Sequence, residues 1–337
     1  MAWYNEIGAD SDVVVSSRIR FARNIAGYPF GKKLTDAGRS EIIDKVTKAL
    51  APAGLETIDL AAKNNIDTSA LAEKRYISTE FASEKAPHTL LLDESKQTAV
   101  MICGEDHVRI TAFSTGLSLK EAYDKAVALD DLLDAGVDIA YSESVGYLSQ
   151  NPTDLGTGMR ASLLLHLPAT ALARQIGAAE RGLAKLGVTM RAYFGESGEA
   201  YGSLYQISNS VTMGISEEEI IEKLINVAKQ LIESERKLRD TLKSDSFARL
   251  CDRVMRAKGL LCNAYLMSAS EFMGLWSDVR LGVSLGIVEG CDLAALDSLL
   301  VGAMPANLIA ASSSKADITA AELETLRAKT VRETLAK

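Results

Sequence analysis

The chain has 337 residues, of which 47% are hydrophobic and 24% charged, and its net charge is −8. This describes one large or two ordinary globular domains whose core needs neither disulfide nor metal. An acidic chain is a poor general nucleic-acid binder, because that role wants a basic surface, so one that handles a polyanion has to gather its arginines locally.

The opening MAWYNEIGADSD is polar and does not read as a signal peptide. Val13 to Val15 is a β-branched run that reads as a strand entering a loop along SSRIRFARN. From His88 to Ser114 two apolar runs flank the turn-like DESK and VRITAF follows, all strand-like. An amphipathic helix is predicted over Ser118 to Ala135, closed by Gly136. Ile139 to Ser149 reads as strand, NPTDLGTG as loop, and RASLLLHLP as a buried strand. A helix over Thr170 to Leu186 ends at Gly187, and MRAYF is one more strand. Ser216 and Glu219 form a capping box at the head of a long helix reaching about Lys243. The rest reads mostly as helix, with Thr319 and Glu322 capping the last one after a mobile AASSSKAD loop. The expected fold is α+β, with a mixed α/β domain over 1–245, the one that would carry any catalytic chemistry, and a helical domain over 246–337. Cys103, Cys251, Cys262 and Cys291 form no C-x-x-C pair and read as reduced thiols. No apolar stretch approaches the ~20 residues of a membrane helix, so a cytoplasmic location is expected.

Neither a Walker-type loop nor a strand-linked G-x-G-x-x-G is present. Arginines stand in their place. Arg18 and Arg20 are two apart on a predicted strand, hence on one face and roughly 6–7 Å apart. That spacing suits successive phosphates held by guanidinium forks, and it equally suits a solvated strand edge. In GEDHVRI, Glu105, His107 and Arg109 alternate and would share a face of an extended segment. The carboxylate and arginine fit a surface ion pair or an acceptor-orienting group beside a phosphate. His107 has no second histidine nearby and reads as structural, not as a metal ligand. NPTDLGTGMR offers a tight turn at Gly156 and Gly158 followed by Arg160. RAYFGESGEAYG places Arg191 at a strand end and Glu196 in a glycine-rich loop, either a lid or an ordinary hairpin connection.

At these residues the chain resembles the phosphagen kinase family, the ATP:guanido phosphotransferases, and within it the bacterial protein arginine kinases. SSRIRFARN, GEDHVRI, NPTDLGTGMRASLLLHLPA and RAYFGESGEAYGSLYQISN occur in the family's order, and the similarity continues through SDVRLG at Ser277 to Gly282. The resemblance implies a largely antiparallel sheet flanked by helices, followed by a C-terminal helical domain. It implies ATP and Mg²⁺, with Arg18, Arg20, Arg109, Arg160 and Arg191 clasping the phosphates. Ser16, Ser17, Ile19, Ala161, Ser162, Leu163, Leu164, Ala192, Tyr193, Phe194 and Gly195 would lie along the nucleotide, with Arg75 in place of a family histidine. Glu105 and Glu196 would hold the acceptor guanidinium. Such a group has a pKa above about 12 and is a poor nucleophile until a carboxylate orients it and takes its proton.

Besides Arg75, the chain departs from the family pattern at three places. Cys103–Gly104 replaces an asparagine–glutamate pair, and Asn151 replaces the cysteine that positions the acceptor nitrogen. An amide cannot act as a thiolate, although its carbonyl could hydrogen-bond a guanidinium. A C-terminal arginine motif reads Leu323-Glu324-Thr325-Leu326-Arg327-Ala328, and leucine has no donor for a phosphate. The implied activity is arginine phosphorylation on proteins with exposed arginines, marking them for regulated proteolysis in a stress response. An activator subunit, an AAA+ protease and a second copy of the chain are the implied partners. A kinase of a free guanidino compound and a weakly active phosphoarginine-binding module are the alternatives.

Overall fold

In the computed structural model, which describes residues 2–193, 200–312 and 318–336 (for Lys32 the backbone only), the SSRIRFAR segment is strand throughout. This strand, β1 (Val14–Arg23), does not give way to a loop after Val15. It runs through the middle of an antiparallel sheet, between β5 (Val108–Thr115) and β8 (Met159–His166). Outward from β5 lie β4 (Thr98–Ile102), β3 (Thr89–Leu92) and β2 (Glu56–Asp59). Outward from β8 lie β10 (Leu204–Asn209) and the edge strand β9 (Val188–Ala192). Segment 139–149 is not a continuous strand. It forms two-residue pieces, β6 (Tyr141–Ser142) and β7 (Gly146–Tyr147), paired as a small hairpin.

One face of the sheet is sealed by helices. Ile19, Phe21, Ile110, Leu163, Leu165 and Ile207 pack there against α1 (Asp36–Ala49), α4 (Leu119–Gly136), α6 (Ile176–Lys185) and the first half of α7 (Glu217–Asn263). The predicted helix over Thr170 to Leu186 is broken in two. α5 (Pro168–Leu172) ends where Arg174 takes a left-handed φ of +57°, before α6 begins. The other face is covered only in part. Trp3, Tyr76 and Phe81 lie over one side of it, with α2 (Asn65–Glu73) and α3 (Thr79–Ala82), and a patch of strand arginines stays open.

Both predicted capping boxes are formed, Ser216 with Glu219 and Thr319 with Glu322. Helix α7 runs past Lys243 to Asn263, and its backbone leaves helical geometry at Ser246, where φ is −146°. Beyond it come α8 (Ala269–Ser284), which carries the fully buried Trp276, then α9 (Leu293–Gly302), α10 (Pro305–Ala311) and α11 (Ala320–Leu335). The Trp276 indole N–H donates to the Leu296 carbonyl at 2.8 Å; truncating such a side chain costs about 3–5 kcal/mol. Arg280 of SDVRLG ties this region to the sheet. It pairs with Asp297 at 2.8 Å and donates to the carbonyls of Ser11 and Asp12. Residues 313–317 of the predicted mobile loop lie outside the described residues. Among the described residues no single helix is long and apolar enough to cross a membrane.

Candidate active site

Strand register gathers the arginines. Paired residues of antiparallel strands point to the same face, as do residues two apart on one strand. Arg20 lies opposite Arg160, Arg18 opposite Ser162, and Ala22 opposite Arg109. Gln206 lies opposite both Leu164 and Arg191. Five arginines from four strands therefore share the open face, and four of them, Arg20, Arg109, Arg160 and Arg191, line a cleft of about 710 Å³. That size is typical of a small-molecule site. Arg18 sits just beyond, in a narrow recess with Ser16, Ser162, Leu164, Arg75 and Tyr193.

The arginines differ in how well their charge is answered. Arg160 donates to Asp154 at 2.9 Å, and Arg109 to Glu105 and Asp106 at 3.0 and 3.1 Å. Burial opposes the charge on Arg109, but the two carboxylates outweigh it and hold its pKa above the usual value. Among the described residues Arg18 donates to neutral oxygens, Ser162 Oγ at 3.3 Å and Gln206 Oε1 at 3.1 Å. Burial, then the nearby Arg75, pull its pKa down to about 10. Arg20 is pulled well below its usual value by burial and by Arg18, Arg109 and Arg160, and its buried Nε has no hydrogen-bond partner among the described residues. A buried polar group without a partner is costly. An anion with several oxygens would answer Arg20 and Arg18 together.

On the facing wall Glu105 stands in a loop, not in the extended segment its alternation with His107 and Arg109 suggests, since β5 begins only at Val108. Its side chain is 45% exposed and reaches Arg109, whereas His107 points into the protein. There His107 Nδ1 accepts from the Ile25 amide and Nε2 donates to the Pro29 carbonyl. Burial lowers its pKa, so it serves as a neutral anchor. The residue that organises this wall is Asp106, with a wholly buried side chain. It accepts from Asn24 Nδ2 (2.8 Å), Ser149 Oγ (3.0 Å) and the Gln150 amide (3.1 Å) as well as from Arg109. It thereby joins the end of β1, the Glu105 loop and the Asn151 loop. Sequence reasoning missed Asn24 and Asp106 as site residues; the only available signal was a carboxylate inside a motif already rich in charge.

Asn151 lines the same cleft, but its side-chain oxygen accepts from the Thr153 amide and hydroxyl at 3.1 and 2.9 Å. A hydrogen bond from a guanidinium would have to share that oxygen. Gly156 and Gly158 have φ of +96° and +65°, and a Cβ on Gly156 would fall 2.2 Å from the Thr212 carbonyl. Arg75 lies over the Tyr193 ring at 3.8 Å, at the recess that holds Arg18. Not every expected nucleotide neighbour is brought in. Ser17, Ile19, Ala161 and Leu163 turn to the helix-covered face, where Ser17 Oγ donates to the Gly116 carbonyl and the other three enter the core. Ala192 pairs with Tyr205, which packs in that core, and so faces the same way. Phe194, Gly195 and Glu196 lie outside the described residues. Arg327 is buried and donates to the carbonyls of Ala303 and Met267, so this arginine serves as a structural tie.

A cluster of incompletely neutralised guanidiniums facing a carboxylate loop has the chemistry to hold phosphate and leaves room for a cationic partner. Residues 40–238 match the family described as ATP:guanido phosphotransferase, C-terminal catalytic domain, and residues 248–337 match the protein-arginine kinase McsB C-terminal domain. A protein-arginine kinase of Desulforamulus reducens is 38% identical over 99% of this chain and 95% of its own length. One from Caldanaerobacter subterraneus subsp. tengcongensis is 41% identical over 89% of this chain and 90% of its own. Among solved structures, the duplicated taurocyamine kinase of Schistosoma mansoni overlays with a TM-score of 0.64 at 21% identity, covering 78% of this chain. The chain spans only 40% of that duplicated kinase; a lombricine kinase overlays with a TM-score of 0.59 at 23% identity over 70% of each chain. At such identities the overlays speak for the fold, a phosphagen-kinase sheet flanked by helices, as expected. The chain belongs to the ATP:guanido phosphotransferase family, in its protein-arginine kinase branch.

Proposed function

We infer that this protein is a protein-arginine kinase that moves the γ-phosphoryl group of ATP onto arginine side chains of proteins. The observation that carries the reading is Arg20, a half-buried cation whose buried Nε has no partner and which forms no ion pair among the described residues, on a face with four more arginines and across a cleft from Glu105. Arg18, Arg20, Arg109, Arg160 and Arg191 would hold the phosphates and spread the charge of the transferring group. Glu105 would orient the acceptor guanidinium and accept its proton as the nitrogen attacks phosphorus. The new bond is N–P, the broken bond joins the γ-phosphorus to the bridging oxygen, and ADP leaves. Glu196 is assigned the second acceptor contact on family resemblance alone. Mg²⁺ fits this scheme as a cation brought on the nucleotide phosphates; the described residues gather no group of three or more His, Cys, Asp or Glu side chains to hold a metal. When bound it would neutralise phosphate charge.

The wider reading has residues 1–245 as the catalytic domain and 246–337 as a helical domain that recruits substrate or pairs with a second copy. It also has a cytoplasmic protein, an activator subunit and an AAA+ protease that receives the marked clients. The test is incubation with Mg-ATP and a loosely folded protein such as casein, beside free arginine, read by acid-labile phosphate and mass spectrometry. Phosphoarginine on the protein is expected, and Glu105→Gln should lower turnover by ~10²-fold or more while ATP still binds. Phosphorylation of free arginine alone would point to a metabolite kinase. Transfer to neither, with retained phosphoarginine binding, would point to a binding module.

A further inference from the structure

The Glu105 loop has an unusual stem. Cys103 takes a left-handed φ of +68°, which a residue with a Cβ adopts only when its surroundings enforce it. The Cys103 amide donates to the His107 carbonyl at 2.8 Å and the Gly104 amide to the Asp106 carbonyl at 3.1 Å, closing the loop on itself. On one side Phe81 of α3 packs so closely that a Cβ on Gly104 would lie 3.1 Å from its ring. On the other side stands Arg39 of α1. Its Nη1 donates to the Cys103 carbonyl at 2.9 Å, and the Cys103 thiol donates back to the Arg39 carbonyl at 3.6 Å.

Arg39 is only 5% exposed, yet it lines the cleft that Glu105 enters. Its remaining contacts are weaker: Glu84 at 3.6 Å, the Pro87 carbonyl at 3.5 Å, and a buried Nε with no partner among the described residues. A guanidinium this poorly answered is an expensive way to fill space, and an apolar side chain would be cheaper. Its one short bond goes to the carbonyl that begins the catalytic loop. Cys103 itself offers no chemistry to explain the contact, since burial pushes its thiol up to about 12 and keeps it neutral.

We propose that Arg39 is a positioning residue for Glu105: by clamping the Cys103 carbonyl it fixes the direction from which the Glu105 carboxylate enters the cleft. The proposal rests on Glu105 acting on the acceptor. Arg39 does this work from α1, distant in sequence from the loop.

The test compares Arg39→Met, Arg39→Lys and the parent protein in steady-state phosphorylation of a protein acceptor, with ATP affinity measured directly. Arg39→Met should lower kcat ~10–100-fold, the scale of a misplaced catalytic group, with the Kd for ATP within about twofold of the parent value. Arg39→Lys, which keeps a donor for the carbonyl, should recover most of kcat. Should Arg39→Met not fold, Glu84→Gln, which leaves the clamp bond but frees its far end, should lower kcat several-fold at unchanged ATP affinity. A kcat within twofold of the parent in Arg39→Met, or equal losses of kcat and ATP affinity, would overturn the proposal. The same cycle is repeated on Glu105→Asp, where the Arg39→Met effect should shrink because the two residues act as one unit. Full additivity would refute a route through Glu105. A Glu105→Gln protein with normal turnover would instead sink the parent assignment of Glu105.

Discussion

Replacing Arg20 by methionine should make the free protein more stable and the nucleotide-bound protein far less so. Arg20 faces Arg160 directly across the strand pair and has Arg18 two residues along. Two unit charges ~7 Å apart repel by about 0.6 kcal/mol at a dielectric of 80 and about 2.4 kcal/mol at 20. Asp154 answers much of the charge on Arg160, so roughly one uncompensated neighbour remains. Methionine fills a similar volume without charge, and the expected gain is about 1–2 kcal/mol, or a rise in Tm of about 1–3 °C. With ATP the sign reverses. Losing about two charge-assisted hydrogen bonds, each worth about 1.5–3 kcal/mol, weakens binding ~10²–10⁴-fold. Thermal unfolding with and without Mg-ATP reads both effects, since a ligand of the native state raises Tm by mass action. The reasoning fails if Arg20→Met lowers the Tm of the free protein, or if ATP still raises the variant's Tm as it does the parent's.

Asp106→Ala removes at once the acceptor of the Ser149 hydroxyl, the Gln150 amide, Arg109 and one of the two Asn24 Nδ2 bonds, the other going to the Leu148 carbonyl. It should cost about 3–5 kcal/mol in denaturant unfolding, and at a temperature where the variant stays folded kcat should fall more than ATP affinity. Gly156→Ala places a methyl against the Thr212 carbonyl at a φ that disfavours a Cβ. A loss of at least ~1–3 kcal/mol is expected by the same measurement. His166 accepts from Arg280 at Nδ1 and donates to Ser277 from Nε2, and burial, then Arg280 and Arg239, hold its pKa well below 6.5. The folded protein should therefore keep the neutral Nε2–H tautomer through pH 5.5 by nitrogen-15 NMR. Its folded pKa is depressed, so the unfolded chain binds the proton first. Stability from this site is fully present above about pH 6.5 and falls by up to about 1.4 kcal/mol per pH unit below it. An imidazole that titrates near pH 6.5 would contradict this.

The sequence by itself determined what local pattern controls. The strand period put Arg18 and Arg20 on one face, and the Ser216–Glu219 and Thr319–Glu322 spacings marked two helix starts that the caps confirm. Positive φ at Gly156 and Gly158 was legible for the same reason, because glycine alone takes that backbone freely. Alternation misled where the chain left regular structure: Glu105 and His107 part company because their loop turns back on itself at Cys103. It misled again over Thr170 to Leu186, where helical pattern continues but Arg174 turns left-handed. Family order named Ser17, Ile19, Ala161 and Leu163 as nucleotide neighbours, yet their side chains are spent on the core under the sheet. What only the tertiary structure decided is pairing across long stretches of chain. Arg20 meets Arg160 by strand register, Asn24 meets Asp106 by a buried hydrogen bond, and Arg39 meets Cys103 by a clamp from a helix. Periodicity sees only a few neighbouring residues, and these contacts join segments brought together by the packing of the whole core.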